Sequence, residues 1–257
     1  MLPYFLLVAG IVMLVLFLIA RDKKSSVLAI IFKTATSLFF IATGLAAVVE
    51  NGVVGGFESK LLPSALVVMG LVLGMVGDIT LDFKIYFKGL EGKYDGVEKD
   101  RDSMMYFGMP AFGIGHVLYI TSMAIRFPGY EMNLLWSALG SAAIVGVMFL
   151  VCICVMKMQF GKFLIPSIAY AFLLCWFVVL SATYVKPAQS SASAGILLAG
   201  AILFVLSDMV LSMTYFSKPA DYERKGMLNP ESRLMIIVNH ATYYLAQFLI
   251  ALSLLFI

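Results

Sequence analysis

The sequence predicts an all-α membrane protein: eight transmembrane helices gathered into one bundle. Three observations carry this. The 257 residues are 62% hydrophobic and only 13% charged, where an ordinary soluble domain carries about 25% charged residues. The mean hydropathy is +0.99. The apolar residues fall in repeated runs of about 20, the length that crosses a bilayer core as a helix. Because these runs are continuous rather than alternating, a transmembrane β-barrel is disfavoured.

Taken in order, the spans read as 2–20, 27–49, 62–82, 104–125, 132–155, 163–184, 192–215 and 234–256. The first lacks the basic start and small-residue cleavage site of a signal peptide. Arg21-Asp22-Lys23-Lys24 follows it instead, so it reads as a retained helix. Loops are short except 83–103 and 216–233, which leaves no room for a separate soluble domain. Cys152, Cys154 and Cys175 lie in apolar runs, and no Cys-x-x-Cys occurs. They read as small apolar filler rather than a disulfide framework.

Loop cations set an expected orientation. The odd loops hold Arg21, Lys23, Lys24, Lys84, Lys88, Lys93, Lys99, Arg101, Lys157, Lys162, Lys218, Arg224, Lys225 and Arg233. The even loops hold Lys60, Arg126 and Lys186 alone. By the positive-inside rule the odd loops are cytoplasmic and both termini extracytoplasmic. Asp78, Asp82 and Asp208 then fall toward the cytoplasmic side. Lys33, Asn239 and His240 lie about 8–11 Å in from that side at 1.5 Å per residue. His116 is nearer the bilayer centre. A polar pocket opening to the cytoplasmic side would bring them together.

Ionisable residues inside a span are expensive, about 2.5–3.5 kcal/mol on insertion scales, and therefore mark candidate sites. Asp78 ends an apolar run, with Asp82 one turn later on the same helix face. Ser207-Asp208 repeats the pattern far along the chain. Gly70 and Gly200 each precede their aspartate by eight, and Lys33 and Lys162 precede theirs by 45 and 46. The only two histidines both sit in His-x-x-Tyr, at His116–Tyr119 and His240–Tyr243. These are marks of a parallel repeat of four plus four helices, since an even number of spans per half preserves direction. Spans three and seven would then face each other and bring Asp78 and Asp208 to one cavity. There the two carboxylates could divide the work of acid and base. Asp82 reads as a rim residue. Lys33 snorkels to the surface, neutralises an aspartate or binds a phosphate. His116 orients water, relays protons, binds a headgroup, or packs two helices through a hydrogen bond. His240, Tyr243, Tyr244 and Gln247 form one helical stripe beside Asn239. Gln247 is too deep for an interface anchor, so this stripe reads as a polar cavity wall. The remaining Met and Phe positions read as lipid-facing or packing residues.

No glycine-rich phosphate loop, Gly-x-Ser-x-Gly elbow or His-Glu-x-x-His occurs. A zinc site of three histidines is excluded by count. No metal, cofactor or nucleic-acid partner is expected. Gly74–Asp78 resembles the Gly-x-Gly-Asp signature of intramembrane aspartyl proteases only in part, and no Pro-Ala-Leu occurs.

Several motifs together carry a family resemblance. They are Gly77-Asp78, Ala111-Phe112 with His116 and Tyr119, Ser207-Asp208, and Tyr243-Tyr244-Leu245-Ala246-Gln247. In that order and in those spans, the chain resembles the YhhN family of membrane lysoplasmalogenases, eight-span proteins that include the mammalian alkenylglycerophospholipid hydrolases. Lys33-Thr34 stands where the family usually has Lys-Pro. The resemblance implies hydrolysis of the vinyl ether of a lysoplasmalogen to a fatty aldehyde and glycerophosphoethanolamine or glycerophosphocholine. It implies a multi-pass protein of a bacterial inner membrane or a eukaryotic endoplasmic reticulum, with a lysophospholipid and the bilayer as partners. Asp78 and Asp208 would be catalytic, with Lys33, Asp82, His116, Tyr119, Asn239, His240, Tyr243, Tyr244 and Gln247 in support. The alternative is a transporter or lipid-binding protein whose carboxylates bind protons or a cation.

Overall fold

The computed structural model describes residues 1–22, 26–55, 57–90, 92–93, 95–126, 131–185, 191–227 and 229–257. Lys23, Lys24 and Lys186, counted above among the loop cations, lie outside them. Among the described residues eight helices are long and apolar enough to cross a bilayer: α1 (Leu2–Asp22), α2 (Ser26–Gly55), α3 (Phe57–Lys88), α4 (Val97–Arg126), α5 (Glu131–Leu150), α6 (Leu164–Tyr184), α7 (Ser191–Phe216) and α9 (Arg233–Ser253). The short α8 (Pro219–Tyr222) lies between the last two. The chain is an all-α, multi-pass membrane protein.

Every predicted span is present, but two of the loops are shorter than the apolar runs suggest. α3 continues to Lys88 and α4 begins at Val97, so most of 83–103 is helical. Hydropathy marks where the hydrocarbon ends, whereas a helix stops only where its backbone bonding fails. Here the acidic side chains of Glu98 and Asp100 occupy the first turn of α4, where they complement the helix dipole. The loop at 216–233 likewise holds α8, entered through Pro219 in its first turn. Ser232 then caps α9 by accepting a hydrogen bond from the Met235 amide at 3.3 Å. Span five ends differently, in a π-helical turn at Val151–Val155.

Neighbouring helices pack in a pattern that repeats. α1 lies on α2, α2 on α3 and α3 on α4; α5 lies on α6, α6 on α7 and α7 on α9. Across the halves α2 packs on α9, and α6 on α4. Exchanging α1–α4 for α5, α6, α7 and α9 maps these neighbours onto themselves, as a four-plus-four repeat requires. Two contacts break the pattern: α3 touches α9, whereas α7 has at most slight contact with α4 among the described residues. α1 also packs against α9, whereas α5 has at most slight contact with α4 among the described residues.

α3 and α4 approach most closely because small residues let them. A Cβ at Gly70 would lie 2.3 Å from the Tyr119 ring, and one at Gly77 would lie 2.4 Å from the Phe112 ring. Such small-residue contacts drive helix association where lipid removes the hydrophobic drive.

The two ends of the bundle differ in chemistry. At one end the N-terminal ammonium meets Glu50, Asn51 donates to the carbonyls of Leu254 and Ile257, and Arg126 donates to Ser193. The other end gathers Arg21, Lys84, Arg101, Asp102 and Lys162. It is this second end that the charge pattern assigns to the cytoplasm.

Candidate functional site

Lys33 projects from α2 into the bundle instead of snorkelling outward; it is 7% exposed. Its ammonium lies 3.1 Å from Asp82 and 3.5 Å from Asp78. Arg21, at the end of α1, stands 3.9 Å from Asp82. Asp82 is therefore not a rim residue. It is buried, one turn beyond Asp78, because two cations reach it. Its second oxygen has no hydrogen-bond partner among the described residues.

Asp78 is the best-held carboxylate. Its Oδ2 accepts hydrogen bonds from the hydroxyls of Ser37 at 2.8 Å and Tyr243 at 2.9 Å. Ser37 sits one turn after Lys33, so α2 supplies both a cation and a donor from one face. Tyr243 is fixed in turn by Gln247, whose amide donates to it at 2.9 Å. Tyr119 donates to the Gln247 carbonyl oxygen at 3.3 Å. A line of polar groups thus runs from Asp78 toward the middle of the bundle.

Asp208 lies across the cavity on α7. Its Oδ2 accepts a hydrogen bond from the Tyr170 hydroxyl of α6. Next to it, Ser207 donates to the Asn239 side chain at 2.8 Å and so ties α7 to α9.

One cavity of about 1100 Å³ joins these groups. Asp78, Asp82, Asp208, Lys33, Asn239, His240 and Tyr243 line it, and Arg21, Lys84, Arg101 and Asp102 stand toward its polar end. An apolar arm runs between α4, α5, α6 and α7. Seven methionines line the cavity: Met105, Met109, Met148, Met156, Met158, Met209 and Met213. Methionine is flexible and adapts its shape, which suits a wall meeting an alkyl chain. Leu206 and Met209 border the cavity and are also 46% and 50% exposed on the outside of the bundle. Among the described residues no group of three His, Cys, Asp or Glu side chains could hold a metal ion.

A family model, that of the YhhN family, matches residues 28–254. The chain belongs to the YhhN family. No curated protein and no solved structure matches it.

In this YhhN protein the predicted residues divide into two layers. Asp78, Asp82, Asp208, Lys33, Asn239, His240 and Tyr243 face the cavity. His116, Tyr119, Tyr244 and Gln247 are buried behind it. Gln247 is therefore a support of Tyr243 rather than a cavity wall. Tyr244 donates to the Lys33 carbonyl at 3.3 Å. His116 Nδ1 lies 2.9 Å from the Phe112 carbonyl, and its ring packs on Phe204, Tyr119, Phe177 and Tyr170. It floors the site within an aromatic cluster. His240 stacks on Phe17 of α1 at 4.8 Å between ring centroids.

Four contributors escaped the sequence reading: Ser37, Tyr170, Ser167 and the methionine-lined arm. The two serines left a trace. Ser37 and Ser167 are 130 positions apart, as are Asp78 and Asp208. Tyr170 left none, since its role depends on how α6 meets α7. Lys162, the expected counterpart of Lys33, pairs with Asp102 instead of Asp208.

Proposed function

We propose that this YhhN-family protein is an intramembrane hydrolase that cleaves the vinyl ether of lysoplasmalogens. The observation that carries the reading is that Asp78 and Asp208, on helices from the two halves, line one cavity with a charged end and an apolar arm. Such a cavity matches a single-chain ether phospholipid. Its phosphate suits the end that holds Arg21, Lys84 and Arg101, and its alkenyl chain suits the arm.

The reaction needs few parts. Protonation of the vinyl ether's β-carbon turns the C=C pair into a C–H bond and leaves an oxocarbenium ion. Water adds to the cationic carbon and loses a proton to a carboxylate. The resulting hemiacetal collapses, its hydroxyl proton passing to the departing glycerol oxygen, to give the fatty aldehyde and the glycerophospho-alcohol. A proton donor, a proton acceptor and a fixed negative field are sufficient, and the two aspartates supply all three.

The test is purified protein incubated with a lysoplasmalogen and, separately, with its acyl lysolipid counterpart, with products read by mass spectrometry. Aldehyde release from the vinyl ether alone is expected. Asp78→Asn and Asp208→Asn should each lower that release by about 100-fold or more, the usual scale of acid–base catalysis. Full activity in either variant would remove the mechanism. Binding or flux of the lipid in proteoliposomes without products would make the protein a transporter or lipid binder instead.

A further inference from the structure

The two halves place equivalent carboxylates in unequal surroundings. Asp78 has a cation at 3.5 Å and two hydroxyl donors. Asp208 has one hydroxyl donor, Tyr170, and no cation within ion-pair distance among the described residues. The cation that the repeat would supply, Lys162, is engaged by Asp102. Of the other cations bordering the cavity, Lys84 lies over the Tyr215 ring at 3.5 Å and Arg101 lies beside Asp102.

Charge balance then discriminates between the two aspartates. Two cations, the buried Lys33 and the half-buried Arg21, reach Asp78 and Asp82, and Asp208 is a third carboxylate bordering the same cavity. Unpaired charge is expensive away from water. With Asp78 and Asp82 ionised, the cations are matched. An ionised Asp208 would have no cation within ion-pair distance among the described residues.

The serines repeat the asymmetry. Ser37 Oγ is spent on Asp78. Ser167, its counterpart 130 positions on, is 7% exposed and borders the cavity, and its Oγ has no partner among the described residues. It stands one turn before Tyr170 on α6, whose Tyr170 hydroxyl donates to Asp208 of α7. The first half is filled, with Phe17 of α1 seated on His240 and Tyr244. In the second half α5 has at most slight contact with α4 among the described residues, and both helices line the arm.

We propose that Asp208 is the proton carrier of this cavity, that Asp78 is its fixed anion, and that Ser167 presents the open hydrogen-bonding group where water or a ligand hydroxyl is received beside the carrier. Within the hydrolase reading, on which the catalytic meaning rests, the Asp208 O–H bond breaks as the β-carbon gains its proton. Asp78 faces the oxocarbenium charge. Water, adding to that carbon, returns a proton to the Asp208 carboxylate, so the carrier is restored in each turnover.

The test is infrared spectroscopy of the purified protein at neutral pH without substrate, so it does not depend on the hydrolase reading, which aldehyde release decides separately. The wild type should show the C=O stretch of a protonated carboxyl group. Asp208→Asn should remove that band. Tyr170→Phe should shift it, because the hydroxyl that binds Asp208 is gone, and Ser37→Ala should leave it in place. The two conservative variants each delete a single oxygen and keep the cluster's charge. A wild type with no such band, a band that survives Asp208→Asn, or a band that moves with Ser37→Ala rather than Tyr170→Phe overturns the assignment.

Discussion

Lys33 shows why single residues in this site have unequal consequences. It is one lysine against two buried aspartates. Lys33→Met would leave Asp78 without its cation and Asp82 with Arg21 alone, and breaking a buried ion pair from one side typically costs about 3–5 kcal/mol. A clear fall in thermal stability in detergent is the expected outcome, read as the temperature at which the protein loses monodispersity. Ser167 is the opposite case. Its hydroxyl bonds to nothing described, so Ser167→Ala should leave that temperature unchanged or slightly higher. If the proposed hydrolase reading holds, it should nevertheless lower kcat/KM for vinyl-ether cleavage by about five- to tenfold, the scale of one hydrogen bond of about 1 kcal/mol. A variant with unchanged kcat/KM would remove Ser167 from the site. Lys33 and Asp78 were legible in the sequence because a charge in an apolar run is conspicuous. Ser167 and Tyr170 were not, since a serine or tyrosine in a span is ordinary until its neighbours are known.

At the scale of elements, the α3–α4 contact positions Asp78. Phe112 fills the space that Gly77 leaves, and its ring packs edge-on against Tyr243, at 5.9 Å, and Phe204, at 6.1 Å. A methyl group at position 77 must displace that ring, and with it the tyrosine that holds Asp78. Gly77→Ala is expected to cost about 1–3 kcal/mol, the range for overpacking a core, and to lower kcat more than it raises KM. Paired thermal and kinetic measurements check this; a variant with wild-type values in both would show that Phe112 adapts freely. Hydropathy marks all eight spans but ends α3 and α4 too early, because both helices continue past the apolar run.

For the whole molecule, the difference between the bundle's ends carries a topological prediction. With the three native cysteines replaced, Asp95→Cys should react with a membrane-impermeant thiol reagent only from the cytoplasmic side. Glu50→Cys should react only from the opposite side. Reversed labelling would place the cavity mouth on the outer leaflet and overturn the orientation drawn from loop cations. The repeat, visible in the sequence as a few spacings, is echoed in the way helices choose neighbours, and it fails at the seat between α4 and α5 where the cavity's arm lies.

Hydrophobic run length, charged residues within those runs and loop cations are local quantities. They were sufficient for the fold class, the eight spans and the aspartates, because the bilayer makes each unpaired polar group costly wherever it sits. The tertiary structure decided what each carboxylate faces. Lys33 and Ser37 are some 40 residues from Asp78, and Tyr170 is 38 from Asp208. Only helix packing brings such groups within hydrogen-bond reach, and among the described residues that packing gave Asp78 a cation at ion-pair distance and Asp208 none.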